Sequence, residues 1–324
     1  EMKVLSDSPS LAFGPVPSRR LGKSLGINNI PPKACTYSCI YCQIGKTKHN
    51  TINRKIFYEP SEILLQVKKR IDKAKMQHEQ IDYLTFVSDG EPTLDINIGV
   101  EISLLKQFGI PVAVITNASM LWSNEVRKEL LNADFVSLKV DATSESIWKF
   151  IDRPHRDLKL SMIMAGIKDF AELFKGKLVT ETMLLHGIDY SNEFEKTATF
   201  LADLKKLSNA YIAIPTRPPV EKWVKCAEEA KLIDAFQIFS EKLGSDRVEY
   251  LIGYEGNKFA FTGNVKEDLL SIMAVHPMCT EAVKEFLKKA KTDWKIIEYL
   301  LGSGEISELK YEGKKFYMRK LTLD

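Results

Sequence analysis

The sequence KACTYSCIYCQIG, residues 33–45, contains three of the five cysteines of the chain. Cys35, Cys39 and Cys42 have the spacing Cys-x3-Cys-x2-Cys. Three thiolates on so short a loop can converge on one soft metal centre, but they do not complete a four-ligand site. A zinc site would need a fourth ligand, and His49 is the nearby candidate. A four-iron cluster fits the spacing differently, because three irons take the thiolates and the fourth keeps an open position.

Tyr41 stands directly before the third cysteine, and with it the spacing resembles the signature of the radical S-adenosylmethionine (SAM) enzymes. The resemblance implies that Cys35, Cys39 and Cys42 bind a [4Fe-4S] cluster and that SAM binds the open iron through its amino and carboxylate groups. It also implies an external one-electron reductant, reductive cleavage of SAM, and removal of a substrate hydrogen by the 5′-deoxyadenosyl radical. A structural zinc or redox loop is the alternative interpretation of these cysteines.

The composition is that of an ordinary globular protein, with 44% hydrophobic and 27% charged residues in a chain of 324. This length is enough for a full barrel with an additional unit. The net charge of +3 is too small to indicate nucleic-acid binding by electrostatics alone. Cysteines that cluster on one loop favour a reducing, cytoplasmic location over a disulfide framework. No stretch approaches the roughly 18 apolar residues of a membrane span, and no signal-peptide core is evident, so no membrane partner is expected.

Apolar runs followed by helical patterns repeat six times along the chain. The predicted strands are 24–30, 81–88, 111–116, 134–140, 177–184 and 210–215. The predicted helices are 60–76, 95–108, 123–131, 157–174, 192–207 and 221–243. Such repeats predict a parallel α/β architecture, which can close as a barrel or stay a doubly wound sheet. The resemblance to radical SAM enzymes implies the partial (β/α)6 TIM-like barrel.

The domain prediction follows from these patterns. We expect an irregular N-terminal extension over 1–23, because its prolines deny it a helix. This extension is followed by a radical SAM partial barrel over 24–248, connecting strands over 249–276 and a winged-helix-like unit over 277–324.

The last unit is predicted from two amphipathic helices and a hairpin. A cluster of cations lies on that hairpin, namely Lys310, Lys314, Lys315, Arg319 and Lys320. Cations beside aromatic residues are compatible with RNA contact, and equally with a solvated hairpin.

The carboxyl ends of parallel strands are where ligand chemistry occurs in such folds. The second strand is followed by Asp89-Gly90-Glu91, which resembles the Gly-Gly-Glu motif of the family with Asp89 at the first glycine. The resemblance implies that Gly90 and Glu91 bind the methionyl amine of SAM. The third strand ends in Thr116-Asn117, similar to the Thr-Asn-Gly of the family, which puts Asn117 in the SAM site. An Asx-type turn is the alternative for Asn117.

The fourth predicted strand places Ser137, Lys139 and Asp141 on one face, because side chains alternate along a strand. A buried Lys and Asp are costly unless they pair or bind a ligand. The resemblance implies that these residues contact SAM, Lys139 through the methionyl carboxylate and Asp141 through the ribose. A structural Lys–Asp pair is the alternative. Thr216, after the sixth strand, lies near the adenine by the same resemblance.

The whole pattern resembles the iron–sulfur oxidoreductase group of radical SAM proteins, which also includes the wyosine-forming tRNA enzymes. Those enzymes carry further N-terminal cysteines for a second cluster, and residues 1–34 contain none, so the substrate stays open. We expect a radical SAM enzyme that modifies a tRNA or another RNA, with no catalytic residue identified. The alternatives are an enzyme that acts on a protein or peptide, as an activase or modifying enzyme, and a non-enzymatic metal-binding regulator.

Overall fold

The computed structural model describes residues 10–252 and 259–320. Its centre is an eight-stranded sheet in the order β1-β2-β5-β6-β7-β8-β9-β10, in which every neighbouring pair is parallel except β1 with β2. These strands are β1 (Ala12–Ser18), β2 (Gly22–Ile27), β5 (Tyr83–Phe86), β6 (Val112–Thr116), β7 (Phe135–Lys139), β8 (Lys177–Met183), β9 (Leu207–Ala213) and β10 (Val248–Leu251). Two short strands, β3 (Ala34–Cys35) and β4 (His49–Asn50), pair separately.

Within the described ranges, the α-helices that accompany this sheet are α1 (Pro60–Met76), α2 (Ile98–Leu105), α3 (Asn124–Leu130), α4 (Glu145–Asp152), α5 (Leu160–Leu173), α6 (Glu193–Ala202) and α7 (Glu229–Leu243). Strand residues such as Val114 and Leu138 pack in one core with helix residues such as Val67. Residues that alternate with them, such as Ala113 and Phe135, pack in a second core. Strands that are buried on both faces read as continuous apolar runs, which is why the sequence predicts them. The predicted parallel α/β architecture is confirmed.

The prediction of an irregular segment over residues 1–23 is wrong for Ala12–Ser18. These residues form β1, which pairs antiparallel with β2 at the edge of the sheet, with a register shift between Phe13 and Val16. An edge strand tolerates proline because one of its sides needs no N–H donors. The prolines that exclude a helix therefore do not exclude this strand.

The prediction of connecting strands over 249–276 is also wrong in part. Its first residues do form a strand, β10, but β10 runs parallel to β9 and completes the main sheet. The turn predicted over 255–257 lies outside the described residues. Val265–Val275 is a helix, α8, whose N-cap Asn264 accepts a hydrogen bond from the Glu267 N–H at 3.1 Å.

The C-terminal unit continues with β11 (Met278–Cys279), α9 (Thr280–Lys289), α10 (Lys295–Gly302), β12 (Ile306–Tyr311) and β13 (Lys314–Arg319). The three strands form an antiparallel sheet in the order β11-β13-β12. Together with α8 this is the element order of a winged helix, as predicted. Its core includes Phe13 and Val16 of β1, so the unit packs against the edge of the barrel. Among the described helices, none has the length and apolarity that crossing a bilayer requires.

Candidate functional site

The cysteine loop, residues 33–45, lies across the carboxyl ends of the strands. Its backbone is held by segments that follow two of them. Ile40 donates its N–H to the Ile151 carbonyl at 2.9 Å, and Val220 donates its N–H to the Cys42 carbonyl at 2.8 Å. Parallel strands deliver their following segments to one edge of the sheet. The topology therefore places the predicted metal ligands at this edge.

The three cysteines of the loop are free thiols. Burial raises the pKa of the Cys35 thiol to about 12, and the nearby Glu91 adds to this. Burial likewise raises the pKa of Cys39 well above its ordinary value. Thiols in these surroundings stay protonated until a metal displaces their protons.

No group of three His, Cys, Asp or Glu side chains in the described part of the chain converges closely enough to hold one metal ion. A four-iron cluster sets a looser requirement, because each thiolate binds a different iron of the cube. The zinc alternative would use His49, which lies in β4 beside β3 with its side chain exposed. The donor set of three thiols on one loop suits the cluster better than a single ion.

Lys33 joins the two ends of the cysteine loop and also pairs with Asp89, which follows β5. Both residues are buried, and the Lys33 ammonium donates to the Asp89 carboxylate at 2.5 Å and to the Ile44 carbonyl. Burial raises the pKa of Asp89 to about 6, against the opposing effect of Lys33. The residue that departs from the family's Gly-Gly-Glu motif thus pairs with the first residue of the loop.

Gly90 and Glu91 hold the end of β5 against the cysteine loop. A Cβ atom on Gly90 would clash with the Ala34 carbonyl oxygen, so only glycine permits this approach. Glu91 is 1% exposed, and its carboxylate accepts from the Thr93 N–H and hydroxyl, the Thr116 hydroxyl and the Asn117 N–H. All of these donors are neutral. Burial raises the pKa of Glu91, although the hydrogen bonds oppose the shift.

Asn117 links the end of β6 to the cysteine loop. Its side-chain amide donates to the Thr36 hydroxyl at 2.8 Å and lies 3.6 Å from Cys35 Sγ. Its amide oxygen accepts from the Ser119 N–H at 3.0 Å, which is the Asx-type turn considered above. The Asn117 side chain therefore forms the Asx-type turn with its oxygen and contacts the cysteine loop with its amide nitrogen.

Lys139, in β7, shares a carboxylate with Arg20. Lys139 Nζ lies 2.7 Å from Glu181 Oε1, and Arg20 Nη1 lies 2.5 Å from Glu181 Oε2 and 3.0 Å from Ser137 Oγ. Burial works to raise the pKa of Glu181, but Lys139 and Arg20 outweigh it and hold the pKa well below its ordinary value. Two cations therefore face one carboxylate at the β7 and β8 ends.

Asp141 is buried and contacts Tyr41, the residue directly before Cys42. Its carboxylate accepts from the Tyr41 hydroxyl and, at 2.8 Å, from the Met183 N–H. Burial raises the pKa of Asp152 well above its ordinary value, and Asp141 adds to this. Asp152 Oδ1 lies 3.3 Å from Cys39 Sγ. To bind a ribose hydroxyl, Asp141 would share oxygens that already accept bonds within the protein.

Thr216 lies where the C-terminal hairpin meets the barrel. Its hydroxyl is buried and has no hydrogen-bonding partner among the described residues. It lines a cavity of about 330 Å³ together with Tyr311 and Lys314. The Tyr311 hydroxyl donates to the Pro215 carbonyl at 3.0 Å. The hairpin β12–β13 therefore covers the end of β9.

The model of the Radical SAM superfamily matches residues 29–201. This is more than half of the chain, and it includes the cysteine loop and the ends of β5 to β8. The chain belongs to the radical SAM superfamily. Members of this superfamily use a [4Fe-4S] cluster and SAM.

The chain is also similar to a curated protein and to solved structures. A UPF0026 protein of Methanocaldococcus jannaschii is 48% identical over 313 residues, which cover 96% of this chain and 97% of that protein. A radical SAM methyltransferase from Sphaerobacter thermophilus superimposes with a TM-score of 0.50 at 14% identity, covering 70% of this chain and 66% of that one. TYW1 with a lysine-pyruvate adduct bound has the same score and identity, covering 67% and 73%. At this identity the two structures show the fold alone.

The predicted site did not include Glu181, Arg20 and Asp152. Glu181 stands directly beside Lys139 in the parallel register of β7 and β8. A glutamate between two threonines of a strand was the available signal, but its partner depends on that register. Asp152 ends a helix, α4, that the periodicity did not predict. Arg20 reaches the site from the β1–β2 turn, which the sequence left irregular.

Proposed function

We propose that this protein is a radical SAM enzyme in which Cys35, Cys39 and Cys42 hold the [4Fe-4S] cluster. The observation that carries the proposal is the opposite charge of two strand ends beside the cysteine loop. Glu91 is surrounded by neutral donors, whereas Lys139 and Arg20 face a single carboxylate. A methionyl group has an ammonium and a carboxylate on one carbon, so the two ends match its two charges.

The residues of the chain have the following roles in this proposal. Glu91 accepts from the ammonium, with Gly90 bringing the β5 end close to the loop. Lys139 binds the carboxylate, and Asp141 binds the ribose. Asn117, Ser137 and Thr216 supply further polar contacts to SAM. When bound, the cluster and SAM supply the one-electron cleavage and hydrogen abstraction that the resemblance to the family implies.

Three local features support the fit of these groups. The missing Cβ atom of Gly90 lets the Ala34 carbonyl of the cysteine loop approach closely, the Thr216 hydroxyl is buried without a partner among the described residues, and all three loop thiols are free. A buried hydroxyl without a partner costs free energy that a ligand can recover. A thiol-rich loop of this kind also suits the reducing cytoplasm, where we place the protein.

We propose a tRNA or another RNA as the substrate, as in the wyosine-related group that the motifs resemble. The hairpin β12–β13 supports this class. A cavity of about 530 Å³ between hairpin and barrel is lined by Gly45 and Pro218 on one side and by Lys310 and Met318 on the other. Cations and aromatic rings at the mouth of a site can contact phosphates and unstacked bases.

The reaction is tested with anaerobically reconstituted protein, dithionite and SAM, by measuring 5′-deoxyadenosine. The wild type and Cys226→Ala, which changes a cysteine outside the loop, should form it. Cys39→Ala should lose both the four-iron signal and the product. Full cluster and product in Cys39→Ala would refute the ligand assignment, and no product from the wild type would refute the function.

The substrate class is tested by nuclease-sensitive retention of tRNA on the purified protein. Lys310→Glu with Lys314→Glu should weaken retention, because two phosphate contacts are reversed in charge. Lys288→Glu, on the exposed side of α9, is the matched control. Equal retention by all three proteins, or none by the wild type, would exclude the hairpin as an RNA surface and favour a protein or peptide substrate.

A further inference from the structure

We propose that a surface over the middle of the cysteine loop is the docking site for an acidic, ferredoxin-type one-electron carrier. The inference rests on the proposed function, because a cluster that cleaves SAM must receive an electron from outside. The surface, called here the aromatic patch, is formed by Phe150, Trp223 and the exposed cations Lys46, Arg153 and Lys222.

The centre of the aromatic patch is a pair of rings in solvent. Phe150 is 51% exposed and Trp223 is 53% exposed, and their ring centroids lie 6.1 Å apart at an interplanar angle of 52°. Their chain neighbours Ile151 and Val224 are buried in the same core as Ile40. Large aromatic side chains that lie together in solvent mark interaction sites. We therefore infer that the pair serves a partner, since the core beneath it is already filled.

The patch is joined to the cluster-binding part of the loop by backbone hydrogen bonds. Ile40, between Cys39 and Cys42, donates to the Ile151 carbonyl at 2.9 Å, and its own carbonyl accepts from the Glu221 N–H at 3.3 Å. These bonds connect the residues next to Phe150 and near Trp223 directly to the loop. A carrier bound here would therefore contact residues that are bonded directly to the cluster-binding loop.

The charges around the rings indicate an acidic partner. Lys46 and Lys222 are exposed, and Arg153 donates to Glu221 at 2.6 Å. The hydrogen bond from Arg153 lowers the pKa of Glu221, and Lys46 is close enough to contribute. The rim of this apolar centre has three cations against one carboxylate, that of Glu221, so it is complementary to an acidic protein surface and speeds its encounter.

A protein fits these observations better than RNA does. Phe150 and Trp223 lean on each other at an interplanar angle of 52°, so they do not offer two parallel faces on which bases could stack. Redox encounters are small, below about 1,200 Å² of buried surface, so two rings and a few cations suffice. The step itself is a single electron transfer: the reduced carrier loses one electron, the cluster gains it, and no bond or proton changes.

The test compares two reductants on the reconstituted holoprotein, with cluster reduction followed by stopped-flow absorbance. A purified acidic two-cluster ferredoxin must dock, whereas dithionite is small and need not. The double variant Phe150→Ser with Trp223→Ser should slow reduction by ferredoxin by about tenfold, as for loss of an interface hot spot. Reduction by dithionite should be unchanged. Tyr299→Ser, at an exposed aromatic residue of α10, is the matched control.

A second measurement uses binding rather than electron transfer. Calorimetry with oxidised ferredoxin should give weaker affinity for Lys222→Glu than for the wild type, with the difference shrinking as salt is added. Lys128→Glu, on the exposed face of α3, should bind as the wild type does.

Several outcomes would overturn the proposal. Equal slowing with both reductants would mean that the rings only support the fold, and no slowing with ferredoxin would place docking elsewhere. If the double variant Phe150→Ser with Trp223→Ser lost tRNA retention but still bound ferredoxin, the patch would be an RNA surface. Failure of dithionite to support SAM cleavage would refute the proposed function, while the calorimetric comparison would still decide whether ferredoxin binds the patch.

Discussion

Glu91 and Glu181 are two buried glutamates at strand ends of one sheet, and they are held in opposite ways. Glu91 accepts only from neutral donors, and burial raises its pKa. Glu181 is bound by Lys139 and Arg20, which outweigh its burial and lower its pKa. Among the residues that the structure describes, no cation contacts the Glu91 carboxylate. The Glu181 end has two cations, Lys139 and Arg20, in contact with one carboxylate.

This difference shows how one sheet edge can recognise a zwitterion. A carboxylate that is desolvated but lacks a cation gains most when an ammonium arrives, and a lysine that shares its carboxylate with an arginine can still attract an anion. The residue types alone do not reveal this, because both ends contain a glutamate. The neighbours of each glutamate decide its charge environment.

The largest expected effect follows from removing the anion at the Glu181 end. Glu181→Gln leaves Lys139 and Arg20 facing each other, so the free energy of unfolding should fall by about 3 kcal/mol, as when one member of a buried ion pair is lost. Glu145→Gln, at an exposed pair with Lys149, should cost less than about 1 kcal/mol. Urea unfolding at neutral pH measures both. Similar losses in the two variants would show that the Glu181 cluster is solvated and not structural.

The next largest effect concerns the Glu91 end. Glu91→Gln keeps the size of the side chain but removes its charge, and SAM affinity should fall by about 2 kcal/mol, or roughly thirtyfold. Equilibrium binding to the reconstituted protein measures this, and Glu145→Gln again serves as the control. Unchanged SAM affinity would remove Glu91 from the ammonium site.

Asp89 is a second buried carboxylate close in sequence to Glu91, and it sharpens the comparison because a cation, Lys33, contacts it. Lys33→Met would leave Asp89 buried without its partner and free the Ile44 carbonyl, which should destabilise the closed loop by about 1.5 kcal/mol. The cluster should then bleach faster in air than in the wild type. Lys33→Met with Asp89→Asn should recover the thermal stability but not the bleaching rate. Wild-type bleaching in the single variant would show that the loop needs no such closure.

The smallest effect is a pH dependence of the free energy of unfolding that is caused by Glu101. Burial raises the pKa of Glu101 to about 9, and Asp95 adds to this. The folded protein keeps a proton that the unfolded chain loses, so this contribution to stability declines as pH rises from the ordinary glutamate range towards about 9.

For Glu181, whose pKa is lowered, the sign is reversed, and stability is lost as pH falls below the ordinary range. Glu101→Gln should remove about 1 kcal/mol of the alkaline loss between about pH 6 and pH 9, against a limit of about 1.4 kcal/mol per pH unit. Urea unfolding at the two pH values checks this. Parallel pH profiles for the variant and the wild type would contradict the assignment.

Local patterns predicted much of the fold and of the site. The cysteine spacing and the alternation of Ser137 and Lys139 with Leu138 depend on neighbours in sequence, and the structure shows this alternation, since Leu138 packs in the core with the helices while Ser137 and Lys139 contact Arg20 and Glu181. The metal and SAM roles of these residues stay predictions.

What the sequence missed depends on distant contacts. Glu181 and Lys139 are 42 positions apart in the chain and meet only through the register of β7 and β8. The strand Ala12–Ser18 contains prolines that are tolerated only because it lies at the sheet edge. The partner of Asp89 is 56 positions away. Propensity and periodicity describe neighbours along the chain, and these contacts are formed by the assembled sheet.

The central claim, that SAM binds the open iron between the two strand ends, is tested most directly by paramagnetic resonance of the reduced cluster. In the wild type, adding SAM should change the spectrum of the cluster, because a new ligand reaches its open iron. In Glu91→Gln the same SAM concentration should leave the spectrum close to that of the SAM-free protein. A wild-type spectrum that is identical with and without saturating SAM would contradict the account.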